Sequence, residues 1–294
     1  MESKLYHLHA LTGVHVGTGQ GCGVIDLPIA REQASNLPLI PGSGIKGVLR
    51  YELEALLQHE DDYLALFGPE TDKADDHAGA LSVGDSRLLC LPIRSFRGTF
   101  AWATCPMVLH RYRRDLENNG VTDLSGVPQP QNEKLALHTE DSKLVEGKIY
   151  LEDLDLEASV HEGANAWAER IAEVVFAGDI EWKKMFKERF VILPDNVFDF
   201  LAETATEVRT RIKIKEDTRT VQNGNLWCEE NLPAETIMWG CLATDKSRRN
   251  GCDLNASQML GLLDRLANKR LQIGGNATVG VGHMRWLMDV GAGL

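Results

Sequence analysis

The sequence predicts an α+β protein, on three observations. Helical and strand-like periodicities are mixed along the chain without the strict strand–helix alternation of a doubly wound parallel sheet. The composition, 43% hydrophobic with 25% charged residues, lies in the ordinary globular range and excludes a disordered chain. At 294 residues there is enough chain for a full hydrophobic core, which we expect as a single domain over residues 1–294.

In order, residues 4–12 alternate Leu5, His7 and His9 against Tyr6, Leu8 and Ala10, which predicts a first strand. Residues 13–23 carry five glycines and predict a loop, and residues 23–29 follow as a short apolar segment around Asp26. Ser43 is placed to cap a helix starting at Gly44, along which Ile45, Val48, Leu49, Leu53, Leu56 and Leu57 recur at helical spacing. Residues 80–93 and 97–105 are strand-like. Pro106 starts an amphipathic helix carrying Arg111, Arg113 and Arg114, and residues 120–135 form a polar connection. Residues 164–176 and 195–204 are helical by pattern. Asn255 and Ser257 flank the start of a last helix through Ala267, before a strand into Gly274 and Gly275 and another over residues 280–288.

Uncharged runs such as residues 98–109 fall short of the ~20 apolar positions that span a bilayer. Glu2 and Lys4 open the chain without an apolar leader, so a cytoplasmic protein with no membrane partner is expected. Six cysteines, Cys22, Cys90, Cys105, Cys228, Cys241 and Cys252, form no C-x-x-C pair and are expected to be reduced. The net charge of −12 argues against an unselective nucleic-acid binder but leaves room for an acidic exterior with one basic groove.

Gly42-Ser43-Gly44-Ile45-Lys46-Gly47 is a literal G-x-G-x-x-G that opens a helix, where free N–H groups attract phosphate. A dinucleotide site also needs a firm preceding strand and an acid ~20 residues on, at the end of the next strand. Here Pro38 and Pro41 break the preceding stretch, and Glu60 to Asp62 lie around the end of the helix. A Walker loop fails as well, because Lys46 precedes Gly47 and no Ser or Thr follows. A phosphate-holding loop of another kind is better supported, with Lys46 and Arg50 one turn apart on one face; a helix that merely begins tightly stays open. Residues 271–282 form a second loop with four glycines in nine residues, Gly274, Gly275, Gly280 and Gly282. That excess implies a ligand or the close approach of the first loop.

Arg209, Arg211, Lys213 and Lys215 alternate with Val208, Thr210, Ile212 and Ile214, so a strand here carries four positive charges on one face and a largely apolar face behind. Such stacking needs something negative against it, and a polyanion outweighs a solvated edge strand. With a turn at residues 216–225 and a return segment at 226–232, the strand makes a β-hairpin, on which Trp227 is either a base wedge or core. His15 and Asp26 flank the first glycine loop, where an imidazole and a carboxylate could activate a ribose 2′-OH. Each also has an ordinary reading as a satisfied polar group or a loop cap, and Glu229 and Glu230 are by default solvated acids.

In combination these segments resemble a known family. Leu11-Thr12-x-x-His15-x-Gly17-x-Gly19, the run from Gly23 through Asp26 to Glu32, and Pro41-Gly42-Ser43-x-Ile45-Lys46-Gly47-x-Leu49-Arg50 are similar to the backbone subunit of type III-B CRISPR effectors. This is the fourth subunit of the Cmr complex, a RAMP protein of the Cas-seven superfamily. The likeness continues through Leu66-Phe67-Gly68, Ser82-Val83-Gly84-Asp85, Arg111-x-x-Arg114-Asp115-Leu116, Leu226-Trp227-x-Glu229-Glu230 and Leu271-Gln272-Ile273-Gly274-Gly275-Asn276.

The resemblance implies a ferredoxin-like (RRM-related) RAMP core with insertions and a projecting thumb hairpin at about residues 207–234. It also implies further copies of the chain stacked head-to-tail along a CRISPR RNA with other effector subunits, and thumbs that kink the guide–target duplex every six nucleotides. The guide RNA is expected at Gly42, Ser43, Lys46, Arg50, Arg209, Arg211, Lys213, Gly274 and Gly275. The family's target-RNA nuclease aspartate falls on Asp26, working with a divalent metal ion such as Mg or Mn and leaving a cyclic phosphate and a 5′-hydroxyl. Residues that assist fall on His15 and Glu229, and a tyrosine common in the family is replaced by Asn231. The alternative is a structural RNA-binding scaffold without nuclease activity of its own.

Overall fold

The computed structural model describes residues 1–21, 23–57, 59–215 and 217–288. Cys22 and Glu216, part of the expected first glycine loop and hairpin turn, lie outside the described residues. Among those described, helices are combined with a thirteen-stranded, mostly antiparallel sheet and a separate two-stranded sheet, as an α+β chain requires.

From one edge the main path of the large sheet runs Arg270–Gln272, His283–Met288, Glu2–Ala10, Ile237–Thr244, Ser86–Arg94 and Phe100–Thr104. It continues through Phe190–Ile192, Leu135–His138, Leu154–Val160, Lys148–Leu151 and Val145–Glu146. The parallel pairings are Phe190–Ile192 with Phe100–Thr104 and Leu135–His138 with Leu154–Val160. The five strands between residues 135 and 192 went unread in the sequence. Four of them span only two to four residues, too short to establish a period of two. The expected strand over residues 80–93 is two, Leu81–Val83 and Ser86–Arg94, broken at Gly84 and Asp85.

The N-terminal strand Glu2–Ala10 lies inside the sheet, between Ile237–Thr244 and His283–Met288, and is buried on both faces. Tyr6, Leu8 and Ala10 enter one core with the helices Gly42–Glu54 and Ala256–Gly261. The alternate positions turn to a second core under the helices Pro106–Asn118 and Glu162–Val175, where His7 shares a 2.8 Å hydrogen bond with the Tyr112 hydroxyl. His9 meets Glu235 at 2.7 Å on the same face. The alternation read from sequence therefore separates two cores rather than core from solvent. Asn255 caps the last helix in a reciprocal pair with Gln258, close to where the sequence predicted. Among the described residues no helix is long and apolar enough to cross a membrane, and the five described cysteines are free thiols.

Burial, reinforced by the charge of Arg170, lowers the His7 imidazole from 6.5 to about 3. The folded chain therefore resists a proton that the unfolded chain accepts, and stability falls as pH drops below 6.5. This one group should cost about 2 kcal/mol between pH 7 and pH 5. Denaturant titrations at both pH values should show that loss, and His7→Gln should lack that share of it.

Candidate active site

The two glycine segments are built differently. The first begins the helix Gly42–Glu54, whose Gly42 N–H donates to Asp85 Oδ1 at 2.8 Å. Ser43 is therefore not the cap expected from sequence. It lies inside the first turn, exposed, while a carboxylate from the Leu81–Val83 to Ser86–Arg94 connection takes the end of the helix. A Cβ on Gly42 would collide with the Val83 carbonyl, but at Gly44 and Gly47 it would meet nothing within 4 Å. Backbone on that side is open to a ligand. Lys46 and Arg50 do lie a turn apart, but their head groups are engaged within the chain. The Lys46 ammonium donates to the Leu81 carbonyl at 2.9 Å, and burial, with the Arg50 charge beside it, lowers its pKa. Arg50 donates to Glu70 at 2.7 Å and to the Tyr63 hydroxyl at 3.1 Å.

The second glycine segment cradles the first loop. Gly275 N–H donates to the His15 carbonyl at 2.8 Å, and Gly282 N–H to the Gly13 carbonyl at 2.8 Å. Gly274 has φ +86°, and a Cβ there would collide with the His15 carbonyl. The close approach at these glycines is made by residues 13–15 of the N-terminal loop.

The hairpin pairs Glu207–Ile214 with Val221–Asn231, placing Arg209 opposite Glu229 and Arg211 opposite Trp227. Its basic face turns toward the body. Arg209 donates to Glu207 at 2.5 Å, and Arg211 to Glu229 at 3.1 Å, while Lys213 is exposed. Much of the negative charge that the ladder demanded comes from within the hairpin itself. The apolar face, expected behind, is instead outward, with Val208 52%, Ile212 46%, Ile214 53% and Leu226 62% exposed. The bond from Asn276 Nδ2 of the body to Glu229 Oε2 at 3.0 Å holds that face inward, and a strand whose one face is held leaves the other to solvent.

At the root of the hairpin the remaining groups converge on three consecutive residues. Residues 27–29 run alongside the return strand, with Leu27 N–H donating to the Cys228 carbonyl at 3.1 Å and Glu230 N–H to the Leu27 carbonyl at 3.0 Å. That places Asp26, which is exposed, to accept from Cys228 N–H through Oδ2 at 2.8 Å. His15 Nδ1 lies 2.6 Å from the Glu230 carbonyl. A carbonyl only accepts, so Nδ1 carries the proton and Nε2 is left as an acceptor. A Cβ on Gly17 would stand 2.6 Å from that Nε2; glycine keeps the edge of the ring clear.

Glu229, far from solvated, is 4% exposed and accepts from Trp227 Nε1 at 2.8 Å, Arg211 Nε at 3.1 Å and Asn276 Nδ2 at 3.0 Å. Burial pushes its carboxyl up, but the hydrogen bonds from Trp227 and Arg211, the charge of Arg211 and, when it is protonated, that of His15 outweigh this and hold it below the usual range. It is an anchored anion rather than a proton donor. Trp227 is thus half-buried and tied to the site, not a free wedge. Asn231 is fully buried, its amide under the Glu229 carbonyl. Asn276 and Arg31 were missed as site residues, since only long-range contacts identify them. Among the described residues no group of three His, Cys, Asp or Glu side chains could hold a metal ion. A single exposed Asp26 oxygen suits a hard cation that takes its other ligands from water and phosphate.

The sequence profile of the RAMP superfamily matches residues 7–285. The CRISPR system Cmr endoribonuclease Cmr4 of Pyrococcus furiosus is 36% identical over 288 residues, covering 97% of this chain and 95% of that protein. A crystal structure of oligomeric Cmr4 from Pyrococcus furiosus superposes with a TM-score of 0.76 at 29% identity, covering 98% of both chains. A chain of the type III-B Cmr-beta complex bound to cognate target RNA matches with a TM-score of 0.75 at 18% identity, over 98% of this chain and 97% of that one, a likeness of fold.

Alanine at Gly274 should cost more than alanine at Gly280, where φ is +78° but the space is open. Strain alone sets the second at about 1 kcal/mol, and the collision with the His15 carbonyl should roughly double or triple it at Gly274. Urea denaturation of the two variants checks this, and equal losses would remove the cradle.

Proposed function

Because the chain belongs to the RAMP superfamily, and within it to the Cmr4 subunits, we propose that it is the backbone subunit of a type III-B CRISPR effector. In that role it binds CRISPR RNA and cleaves complementary target RNA. The observation that carries this reading is the convergence of Asp26, His15 and Glu229 on residues 228–230 of one strand. The same family supports a ferredoxin-like core, a thumb formed by the hairpin at about residues 207–234 within one domain, and head-to-tail stacking of copies along the guide.

The open backbone at Ser43, Gly44 and Gly47 suits the close approach of a guide phosphate to a helix N-terminus. At the hairpin root, His15 Nε2 is free to take the proton of a target 2′-hydroxyl. The ribose oxygen then bonds to the adjacent phosphorus as the bond to the 5′-oxygen breaks, leaving a cyclic phosphate and, once protonated, a 5′-hydroxyl. Glu229 holds Arg211 and Asn276 in place and favours positive charge developing on His15. Asp26 would hold a divalent ion such as Mg or Mn through its free oxygen, and that ion would supply charge neutralisation at the phosphate.

In the assembled complex Asp26→Asn should abolish the regularly spaced cuts while leaving target binding intact, as measured on end-labelled RNA. Persistent cuts would make the chain a scaffold only. Chelation with EDTA should stop cleavage, with Mg or Mn restoring it. Neutralising Arg209, Arg211 and Lys213 together should weaken RNA binding and flatten its salt dependence by fewer than three counterions, because two of the three are already paired. A fall of about three would mean those pairs open on RNA.

A further inference from the structure

Among the described residues no hydrogen bond joins Asp26 to His15, yet both are fixed through residue 230. The Glu230 carbonyl accepts from His15 Nδ1 at 2.6 Å, and its N–H donates to the Leu27 carbonyl at 3.0 Å, one residue beyond Asp26. The side chain extends the same connection. It is 3% exposed, and its Oε2 accepts from Ile29 N–H at 3.0 Å. Its Oε1 accepts from Arg31 at 2.5 Å and from the Thr206 hydroxyl at 2.9 Å. Arg31 in turn donates to the Asn36 and Ala202 carbonyls at 2.8 and 3.2 Å.

We infer that Glu230 is a positioning residue: it holds the segment carrying Asp26 at a fixed distance from His15 and from the base of the hairpin. The inference deepens the nuclease reading above and rests on it. The chemistry demands a carboxylate. Three donors from two separate segments, residues 29–31 and Thr206, point at two oxygens, and an amide of the same shape offers only one acceptor. Glu230→Gln would set its NH2 against either Ile29 N–H or the Arg31 and Thr206 donors, with nothing to accept from. One side of the clamp opens, and toward the hairpin residues 27–31 keep only the backbone contacts of Leu27, their other backbone bonds running to Val16, Thr18 and Leu39. Asp26 itself touches none of these groups, so its loss of position reaches the reaction through geometry alone.

The test is Glu230→Gln in the complex assembled on guide RNA, with Asp26→Asn run beside it. Single-turnover cleavage at saturating target should fall by about tenfold or more, as misplacement of a reacting group by a fraction of an ångström to 1 Å produces. The target concentration giving half-saturation should stay within about twofold, because a Glu230 side chain only 3% exposed is not itself presented to RNA. Amide exchange should accelerate over residues 27–31 and remain unchanged in the strand Glu2–Ala10. Should Glu230→Gln fail to assemble, Arg31→Lys keeps the charge while loosening the guanidinium fork, and a smaller drop of the same kind is expected. A saturating rate and exchange pattern equal to wild type, with Asp26→Asn inactive, would overturn the inference alone. An active Asp26→Asn would overturn the nuclease reading, while the exchange measurement would still decide whether Glu230 holds the segment.

Discussion

Residues 27–29 lie beside the return strand of the hairpin, joined by the Leu27 amide to the Cys228 carbonyl and by the Glu230 amide to the Leu27 carbonyl. This short pairing connects parts of the chain about two hundred residues apart, and the rest of the site follows from it. It brings the Asp26 carboxyl to the Cys228 amide. It leaves the Glu230 carbonyl to fix the imidazole of His15, at the start of the glycine loop that leads to Asp26. The strand that acts as a common reference for Asp26 and His15 is also the root of the hairpin. A movement of the hairpin on RNA would therefore be felt where the chemistry happens.

Electrostatics adds the second constraint. The chain carries a net charge of −12, and its most conspicuous basic ladder is largely neutralised from within by Glu207 and Glu229. A pre-paired ladder orders its arginines without any RNA present and costs less to desolvate than four unpaired cations. On the other face of the same hairpin, Val208, Ile212, Ile214 and Leu226 form an exposed apolar strip. The glycines divide their work in the same economical way. Gly274 and Gly275 admit the His15 backbone, while Gly44 and Gly47 leave helix backbone uncovered.

What the sequence made legible was local. The two-faced N-terminal strand, the helix begun by Pro106 and the cap at Asn255 each follow from spacing or from one residue's conformational preference. The misreadings share a cause, which is partners distant in sequence. Ser43 lost its capping role to Asp85, forty-two residues on. Glu229 and Glu230 looked like solvated acids because nothing nearby in sequence announces Asn276, Ile29, Arg31 or Thr206. The alternation of the hairpin strand gave its two faces correctly, but which face meets the body depends on a contact of Glu229 with Asn276, forty-seven residues on. The identity of the reaction came through the combined motifs and the full-length family match, since no single loop names a substrate.

The return strand holds Asp26 and His15, the groups proposed for the chemistry, in place without RNA. The tautomer of His15 tests this most directly, by nitrogen-15 correlation spectra of histidine-labelled protein free of RNA. In its neutral form the ring is expected to carry its proton on Nδ1, held to the Glu230 carbonyl, with Nε2 bare. A ring protonated on Nε2, or one averaging rapidly between tautomers, would contradict it.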